Sequence, residues 1–368
     1  MKKLIDICDI QYGYAFDSKC FTDDSCYPPL VRIRDVKRGY SETYYSGDYP
    51  KEYVLASGDL LVGMDGEFNI ARWKCDGALL NQRVCKLIAK KGTNEEYLRF
   101  AMTKALKEIE RRTAFVTVKH LSAKELNKLQ LSVPDLSKQN RVAEILSRLE
   151  KVIDFRRQEL QKLDNLIKAR FVEMFGDPVD NPMGWNKKRL QDIVSDDCSI
   201  SYGIVQTGDD KEEGVPVFRP VDIVNRVPKL DELKKTTEEI SNKYKRTILK
   251  GREMLITVRA NIADTCIVGE EFKGCNVGRG IVPIRTKEDI MVLEFLKYLM
   301  DSKHLNDDIK RKAKGITLIQ LNMEDLREVE LIIPPVEQQK IFVDFAKKID
   351  KSKVAVLKKL FTRRCSIL

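Results

Sequence analysis

A long run without glycine or proline lies in the middle of the chain and constrains its fold more than any other feature. The run begins at Ser137, and the first helix breakers after it are Gly176 and Pro178. Its apolar residues recur in alternating steps of three and four, the heptad spacing of a coiled-coil helix. They are Leu146, Leu149, Ile153, Leu160, Leu163, Ile167 and Met174, with Arg156 and Arg170 at the two remaining seam positions. Such a helix needs a helical partner that covers its apolar seam.

A second, shorter helix of the same kind is predicted after residue 336. Each helix follows the same pattern, a proline with a glutamine five positions later: Pro134 and Gln139, then Pro334 and Gln339. The apolar residues of the second helix again take steps of four and three, interrupted by Lys353. They are Phe342, Ala346, Ile349, Val356 and Leu360. Neither seam has a partner predicted within its own half, so the economical solution is that the two helices pack against each other.

The segments before the two helices also repeat, in the same order. Residues 29–36 match residues 216–223, so that Arg32 aligns with Arg219. Three further pairs follow in order: 58–63 with 251–258, 80–88 with 276–284, and 96–102 with 293–300. Matches in one shared order, with offsets that grow along the chain, indicate a duplicated domain whose loops differ.

The local patterns predict a mixed α/β (α+β) fold with two similar globular domains, each followed by a long helix. Runs rich in Val, Leu and Ile predict strands at 29–36, 58–63 and 78–88. Helical spacing predicts a helix over 94–112, and Ser122 with Glu125 has the capping-box pattern of a helix start. The predicted boundaries are 1–136 and 187–336 for the globular domains, 137–176 and 337–368 for the helices, and 177–186 for a linker.

The charge balance favours a polyanionic partner. The 368 residues include 66 Lys and Arg against 56 Asp and Glu, which gives a formal net charge of +10. Such an excess suits nucleic acid because each neutralised phosphate releases a counterion, although simple solubility charge is an alternative. Arg can read guanine and Asn or Gln can read adenine, while Lys mostly contacts phosphate. The candidate DNA contacts are Tyr12, Tyr14, Arg32, Arg34, Lys37, Arg38, Gln82, Arg83, Thr117, Lys119, Arg219, Arg259, Asn261, Arg279, Lys314, Thr317 and Gln320.

Each candidate has a plainer alternative role at the solvated surface, and Arg32 and Arg219 could equally be structural ion-pair partners. If the two helices run antiparallel, the globular domains stand at opposite ends of a shared rod. A helix of about 38 residues at about 1.5 Å per residue extends roughly 55 Å. Two DNA-reading domains that far apart would span roughly 15 base pairs, which predicts a target of two short sequences separated by an unread spacer. The alternative is a coiled coil that only dimerises the protein.

No set of residues predicts catalysis by the chain itself. The nine cysteines form no CxxC pair and there are only two histidines, so neither a zinc site nor a histidine-based triad is predicted. Asp264 with Glu271 and Lys273 faintly resembles the pattern of metal-dependent nucleases, and it is kept as a minor alternative. No apolar run is long enough for a signal peptide or a membrane helix, so we expect a soluble, cytoplasmic protein.

The repeated proline–glutamine pattern, the helix end FVEMFGDP (171–178), Tyr12-Gly13-Tyr14 and GDLLVGMDG (58–66) together resemble the specificity subunits of type I restriction–modification systems. The resemblance covers almost the whole chain. It implies two target recognition domains, each followed by a conserved helix, with the helices paired as an antiparallel coiled coil.

The resemblance also implies a subunit of a phage-defence complex that has no catalysis of its own. Its expected partners are double-stranded DNA, two methyltransferase subunits that use S-adenosylmethionine to methylate adenine, and restriction subunits that act as an ATP- and Mg²⁺-dependent motor and nuclease. No cofactor is expected in this chain. A sequence-reading subunit of a methylation-only or other phage-defence complex is the nearest alternative.

Overall fold

The computed structural model describes the chain apart from residues 67, 113–120, 224–227, 316–318 and 366–368, and apart from the side chains of 359–365. The chain divides into two compact units, Met1–Phe155 and Arg156–Leu368. The division falls inside the long central helix, so that each unit includes one part of that helix. No described helix has the length and apolar character needed to cross a membrane.

The first unit is a mixed α/β domain built from short strands and helices. Its first helix is a single turn, and the other helices are six to forty residues long. Its strands are β1 (Lys2–Lys3), β2 (Cys8–Tyr12), β3 (Phe21–Thr22), β4 (Leu30–Val31), β5 (Tyr44–Tyr45), β6 (Val54–Leu55), β7 (Leu60–Gly63), β8 (Asn69–Arg72), β9 (Ala78–Leu80), β10 (Val84–Ala89) and β11 (Gln130–Leu131). Its helices are α1 (Leu4–Ile7), α2 (Ile33–Arg38), α3 (Glu95–Arg112), α4 (Ala123–Lys128) and α5 (Leu136–Phe175), which continues into the second unit.

A four-stranded antiparallel sheet with the order β2-β10-β7-β8 lies at the centre of this unit. Because side chains alternate along a strand, Leu60 and Val62 face one side of the sheet, where they pack with Leu98 of α3 and Leu126 of α4. Residues on the other side, such as Leu61, pack with α2 and with a second sheet, β4-β9-β6. The sheet is therefore buried on both faces, as a central layer requires.

The predicted strand over 29–36 is wrong beyond Val31, where the chain turns into helix α2. Asp35 decides the change: its Oδ2 accepts a hydrogen bond from the backbone N–H of Arg32 at 2.9 Å, which caps the first turn of the helix. The predicted strand 78–88 is interrupted by a turn at 81–84. The predicted strand at 58–63, the helix over 94–112 and the Ser122–Glu125 capping box are confirmed.

The second unit repeats this plan with longer connections. Its strands are β12 (Lys187–Arg189), β13 (Val215–Phe218), β14 (Lys234–Thr236), β15 (Glu253–Thr257), β16 (Thr265–Val268), β17 (Asn276–Val277), β18 (Ile281–Ile284) and β19 (Glu330–Ile332). Its helices are α6 (Leu190–Ile193), α7 (Glu238–Lys243), α8 (Leu293–Met300), α9 (Lys303–Lys312), α10 (Met323–Arg327) and α11 (Val336–Cys365).

The strand pairings confirm the duplication. In the first unit, β7 lies between β10 and β8, and in the second unit β15 lies between β18 and β16, with every pair antiparallel. The two parallel pairs also correspond, since β4 pairs with β9 and β13 pairs with β17. The predicted repeat is therefore a repeat of topology as well as of sequence.

The two glutamines of the proline–glutamine pattern are buried and make matching hydrogen bonds. Gln139 is 1% exposed; its Oε1 accepts from the Asn94 N–H at 2.9 Å, and its Nε2 donates to the carbonyls of Gly92 (3.2 Å) and Pro134 (2.8 Å). We refer to each such set of three bonds as a glutamine clamp. Each clamp joins the start of a long helix to the segment before a helix of its own globular domain.

The second clamp has the same geometry. Gln339 is fully buried, and its Oε1 accepts from the Val292 N–H at 2.9 Å. Its Nε2 donates to the carbonyls of Ile290 (3.0 Å) and Pro334 (2.8 Å). The repeated sequence pattern therefore marks a repeated joint between domain and helix.

Within the second unit, the part of α5 after Phe155 runs antiparallel to α11. The ring of Phe175 lies 5.7 Å from that of Phe342, and farther along α5 the Asp164 Oδ1 pairs with the Lys353 Nζ at 2.6 Å. Between them, the Arg170 guanidinium lies 6.0 Å from the centroid of the Phe345 ring. Residue numbers fall along one helix as they rise along the other, which confirms the expected antiparallel pairing for this part of α5.

Most of the predicted seam is buried or half-buried. The buried members are Ile167, Phe342, Ala346 and Val356, and Ile349 packs against the same core. The half-buried members are Leu160 and Leu163 in the second unit and Leu146, Leu149 and Ile153 in the first. The side chain of Leu360 lies outside the described residues. Pairing of the first-unit members with α11 stays a prediction.

The seam prediction is incomplete at the end of α5. Arg170 lies over the Phe345 ring and the half-buried Met174 packs against the core, as expected of seam positions. The predicted pattern omitted Phe171 and Phe175, which are more deeply buried there. A straight α-helix has 3.6 residues per turn, so its buried face drifts away from a strict heptad pattern.

The expectation that the second helix lacks a partner in its own half is wrong. Phe342 packs on the rings of Phe295 (6.1 Å) and Tyr298 (5.2 Å) in α8. The start of α11 is therefore part of the core of the second globular domain as well as a partner of α5.

Candidate nucleic-acid interface

Each unit presents a four-residue turn at the edge where its parallel strands end. In the first unit the turn is 81–84, closed by a hydrogen bond from the Val84 N–H to the Asn81 carbonyl at 3.2 Å. In the second it is 278–281, closed by the Ile281 N–H and the Gly278 carbonyl at 3.0 Å. We refer to these as the matched turns. The last residue of each turn is the first residue of a sheet strand, β10 or β18.

The second residue of each matched turn is bonded to the segment that follows a Tyr-Gly pair. The N–H of Gln82 donates to the carbonyl of Tyr14 at 2.8 Å. The N–H of Arg279 donates to the carbonyl of Ile204, also at 2.8 Å. These bonds make Gln82 and Arg279 structurally equivalent, whereas the aligned sequences had placed Arg279 opposite Arg83.

The third residue of each matched turn is also held by the neighbouring strand. The Arg83 carbonyl accepts from the Met64 N–H at 2.9 Å, and the Gly280 carbonyl accepts from the Val258 N–H at 2.8 Å. Since the turn backbone is hydrogen-bonded on both sides, the Cα positions that carry its side chains are fixed.

A glycine allows the close approach that holds each turn. The sequence analysis identified the first of these glycines, Gly13, but missed the second, Gly203. A Cβ added to Gly13 would lie 2.0 Å from the Asn81 carbonyl oxygen, and one added to Gly203 would lie 1.8 Å from that of Val277. No larger residue fits without a backbone shift. The sequence signal is a Tyr-Gly pair at 12–13 and again at 202–203, which is too short to stand out without the structure.

Arg32 and Arg219 come to the same edge because each directly follows a strand that pairs in parallel with the strand before the turn. The Arg219 guanidinium binds both carboxylate oxygens of Asp222 at 2.9 and 3.0 Å, and the hydrogen bonds to that carboxylate raise the pKa of Arg219. The structural alternative therefore describes Arg219 well. Arg32 is exposed, and within the described residues its guanidinium contacts no partner.

The remaining basic candidates of the first unit lie on or beside α2 and the first matched turn. Arg34 lies 3.7 Å from Asp35, and Arg38 lies 3.9 Å from Glu42. Arg83 lies 3.5 Å from Asp65, and Lys37 is exposed. The Arg38–Glu42 pair is long and exposed on both sides, so it holds the Arg38 cation only weakly.

The two tyrosine candidates differ from each other. The Tyr12 hydroxyl bonds to the Asn127 Oδ1 at 3.1 Å, and burial raises the Tyr12 pKa, so this residue is committed to the domain itself. Tyr14 is 41% exposed, with its ring 5.1 Å from those of Phe16 and Tyr53. It can offer an aromatic face at the surface.

In the second unit, four further candidates stand near the end of β15 that adjoins the matched turn, where Thr257 pairs with Ile281. The Arg259 guanidinium donates to the Gln320 Oε1, and Lys314 lies 4.0 Å from Asp325. Asn261 is exposed. Three sequence candidates, Thr117, Lys119 and Thr317, lie outside the described residues.

One cluster of acidic and histidine side chains could hold a metal ion. Among the described residues, the group of metal-ligating types within reach of one another is Asp177, Asp180 and His304, at the surface of the linker and α9. That group includes neither Asp264 nor Glu271, so the described geometry gives the minor nuclease alternative no support.

Comparison with known proteins gives one consistent result. The family described as the type I restriction modification DNA specificity domain matches residues 1–165 and 182–361. The chain is 31% identical over 357 residues to the EcoBI specificity subunit of the type I restriction enzyme of Escherichia coli, covering 90% of this chain and 75% of that one. It is 23% identical to a putative type I specificity subunit, MjaX, of Methanocaldococcus jannaschii, covering 88% and 80%.

Solved structures show the same fold. The S subunit of the type I restriction–modification system of M. genitalium matches with a TM-score of 0.58 and 12% identity, covering 98% of this chain and 91% of that one. A chain from a structure concerned with complex assembly and conformational transition of the type I system matches with a TM-score of 0.54 and 20% identity, covering 99% and 93%.

Proposed function

The chain belongs to the type I restriction–modification DNA specificity family, and on that premise we propose that it reads a two-part DNA target, one part with each globular unit. Membership makes it a specificity subunit, whose role is DNA sequence specificity and not catalysis. The proposal concerns how this particular chain carries out that role.

The observation that carries the proposal is the pair of matched turns. Both are held by the same backbone bonds, yet the exposed residue at their second position differs, Gln82 in one unit and Arg279 in the other. A shared scaffold with different exposed side chains is what two unlike recognition surfaces require, because base identity is read by side chains and position is fixed by backbone and phosphate contacts. The exposed cations of α2 and the net charge of +10 support binding to DNA.

We further propose that the paired helices serve assembly and spacing. The antiparallel contact between α5 and α11 supports a fixed separation of the two half-sites. On the same proposal, the chain docks two methyltransferase subunits, which use S-adenosylmethionine to methylate adenine, and restriction subunits that use ATP and Mg²⁺. The complex would act in the cytoplasm.

The first experiment is methylome sequencing of cells that express the partner methyltransferase with and without this chain. We expect methylated adenines in one split motif, present only with the chain. A motif that persists without the chain would contradict the proposal. Recovery of methylation without restriction would place the chain in a methylation-only complex.

The second experiment exchanges residues 1–130 for the corresponding segment of another family member. We expect only one half of the motif to change, because each unit is proposed to read its own half. A change in both halves would refute the modular assignment. The other half of the motif is the internal control for folding.

The third experiment places Asp at Leu149, Ile153 and Leu160 together. Three charges on the apolar seam should disrupt helix pairing and the assembly with methyltransferase subunits. Size-exclusion chromatography of the co-expressed complex measures this, with Asp at the exposed positions Gln158 and Gln161 as the control. Unchanged assembly and motif spacing would show that these helices do not set the spacing.

A further inference from the structure

Gln82 and Arg279 occupy the same place in the two units, the second position of the matched turns. Each donates its N–H to the neighbouring segment at 2.8 Å, and each side chain is exposed. We infer that these two residues make the two halves of the target different, Gln82 by reading an adenine and Arg279 by reading a guanine. This assignment rests on the proposed function and deepens it.

The backbone that carries each of these side chains is fixed before DNA binds. The turns are closed internally and bonded on both flanks, and Gly13 and Gly203 let the flanking segments approach. A reader on a fixed backbone loses less conformational entropy on binding than one on a free loop, and its hydrogen bonds discriminate more sharply between bases.

Neither head group is committed within the protein. In the described part of the chain, the Gln82 amide and the Arg279 guanidinium make no hydrogen bond or ion pair. Nearby candidates differ in this respect: the Arg219 guanidinium is held by Asp222, and that of Arg259 is bonded to Gln320. A base-reading group must have free donors or acceptors, so the uncommitted pair is the better choice.

The third position of the matched turns cannot supply a base-reading side chain in both units. Arg83 holds it in the first unit, but Gly280 holds it in the second, where an added Cβ would lie 2.4 Å from the Pro220 Cγ. Arg32 and Arg219 are equivalent as well, but they are the same residue type. They cannot by themselves make the two half-sites differ.

The chemistry of the two side chains gives the bases. A glutamine amide offers one donor and one acceptor, which match N7 and the N6 amino group of adenine in the major groove. An arginine guanidinium offers two parallel donors, which match O6 and N7 of guanine. The wild-type motif should therefore contain an adenine contacted by the first unit and a guanine contacted by the second.

The test uses the reciprocal variants Gln82→Arg and Arg279→Gln in the complex with its methyltransferase subunits. Binding selection from DNA with randomised half-sites should show one adenine replaced by guanine in the first half-site for Gln82→Arg, and the opposite change in the second for Arg279→Gln. A bidentate pair discriminates by about 1–3 kcal/mol, so we expect preferences to change by roughly 5- to 150-fold at that one position.

Charge-matched controls separate base reading from general electrostatics. Gln130→Arg adds one charge to the first unit and Lys310→Gln removes one from the second, both at exposed positions away from the matched turns. We expect these controls to change affinity uniformly and leave the motif unaltered.

Alanine variants keep the test decisive if the exchanged side chain of a reciprocal variant binds no base. Gln82→Ala and Arg279→Ala should relax the preference at one base pair each, while the other half-site is retained and shows that the protein is folded. Unchanged preferences in all four variants, alongside a split wild-type motif, would overturn this assignment alone. A wild-type complex without a split motif would overturn the proposed function itself.

Discussion

The glutamine clamp of the second unit is expected to contribute several kilocalories per mole to the stability of that unit. Gln339→Ala would leave three backbone groups without their partner: the buried Val292 N–H and Pro334 carbonyl, and the half-buried Ile290 carbonyl. A buried polar group left unsatisfied costs about 1–3 kcal/mol, and the contributions are not additive because the carbonyls keep a second lone pair. We therefore expect a loss of about 3 kcal/mol in the free energy of unfolding.

The assay uses the two tryptophans, since each unit contains one of them. Trp73 is buried in the first unit, and Trp185 in the second is half-buried with its Nε1 donating to the Phe175 carbonyl at 3.1 Å. In a Trp73→Phe background, urea unfolding followed by fluorescence reports the second unit alone. For a unit of about 200 residues, 1 kcal/mol corresponds to about 2–4 °C, so Tm should fall by roughly 6–12 °C.

Gln338→Ala is the matched control, because Gln338 is one position away on the same helix turn and is not fully buried. It should change stability by less than about 0.5 kcal/mol, as most surface substitutions do. The equivalent experiment on Gln139, in a Trp185→Phe background, should give a loss similar to that of Gln339→Ala. If Gln339→Ala were as stable as Gln338→Ala, the clamp would be a feature of the geometry with no energetic role.

Three further predictions concern other features. Gly13→Ala and Gly203→Ala should each destabilise their unit by about 3 kcal/mol, because the new Cβ meets a carbonyl oxygen; a loss below about 1 kcal/mol in urea unfolding would show that the backbone adapts. Burial raises the pKa of the Cys8, Cys85 and Cys266 thiols to about 12, so at pH 8 iodoacetamide should modify exposed Cys26 and Cys75 and spare those three, as judged by mass spectrometry; equal labelling of Cys85 and Cys26 would contradict this. Burial alone would lower the Lys353 pKa, but its bonds to Asp164 and Asp350 raise it overall, so the pair should stabilise the protein below the unfolded pKa of lysine and lose this effect as pH rises through the folded pKa. Lys353→Asp should therefore weaken the helix pairing, and adding Asp164→Lys should restore about 0.5–1 kcal/mol; no recovery in the double variant would show that the two side chains are not coupled.

The long-range order of the fold was predictable because it depends on spacing. Heptad steps indicated α5 and α11, and the proline–glutamine pattern located the start of both helices. The pattern did not reveal that Gln139 and Gln339 are buried, since a glutamine in a sequence carries no sign of its hydrogen-bond partners. Two of the three partners of each glutamine lie about 45 to 49 residues away in the chain, in loops whose course is fixed by tertiary packing.

Contacts that the sequence patterns do not contain explain the errors in the predicted strand at 29–36 and in the seam of α5. The segment 29–36 is rich in β-branched residues, but the Asp35 carboxylate caps a helix start and ends the strand at Val31. Phe171 and Phe175 were missed as seam residues because α8 of the second domain supplies a second apolar partner, Phe295, which no heptad pattern contains. For the recognition surface, residue type suggested a broad set of candidates, and only the backbone bonds singled out Gln82 and Arg279 as equivalent.

The antiparallel pairing of α5 with α11 also has a consequence for synthesis. Lys353, which pairs with Asp164, is synthesised about 190 residues after it. At about 5–20 residues per second this delay is roughly 10–40 s. During that time Phe171 and Phe175 have no Phe342 to cover them. The first unit can close its own clamp early, while the apolar end of α5, which belongs to the second unit, remains open to chaperones or to a neighbouring nascent chain. We therefore expect the yield of folded protein to fall when chaperones are limiting.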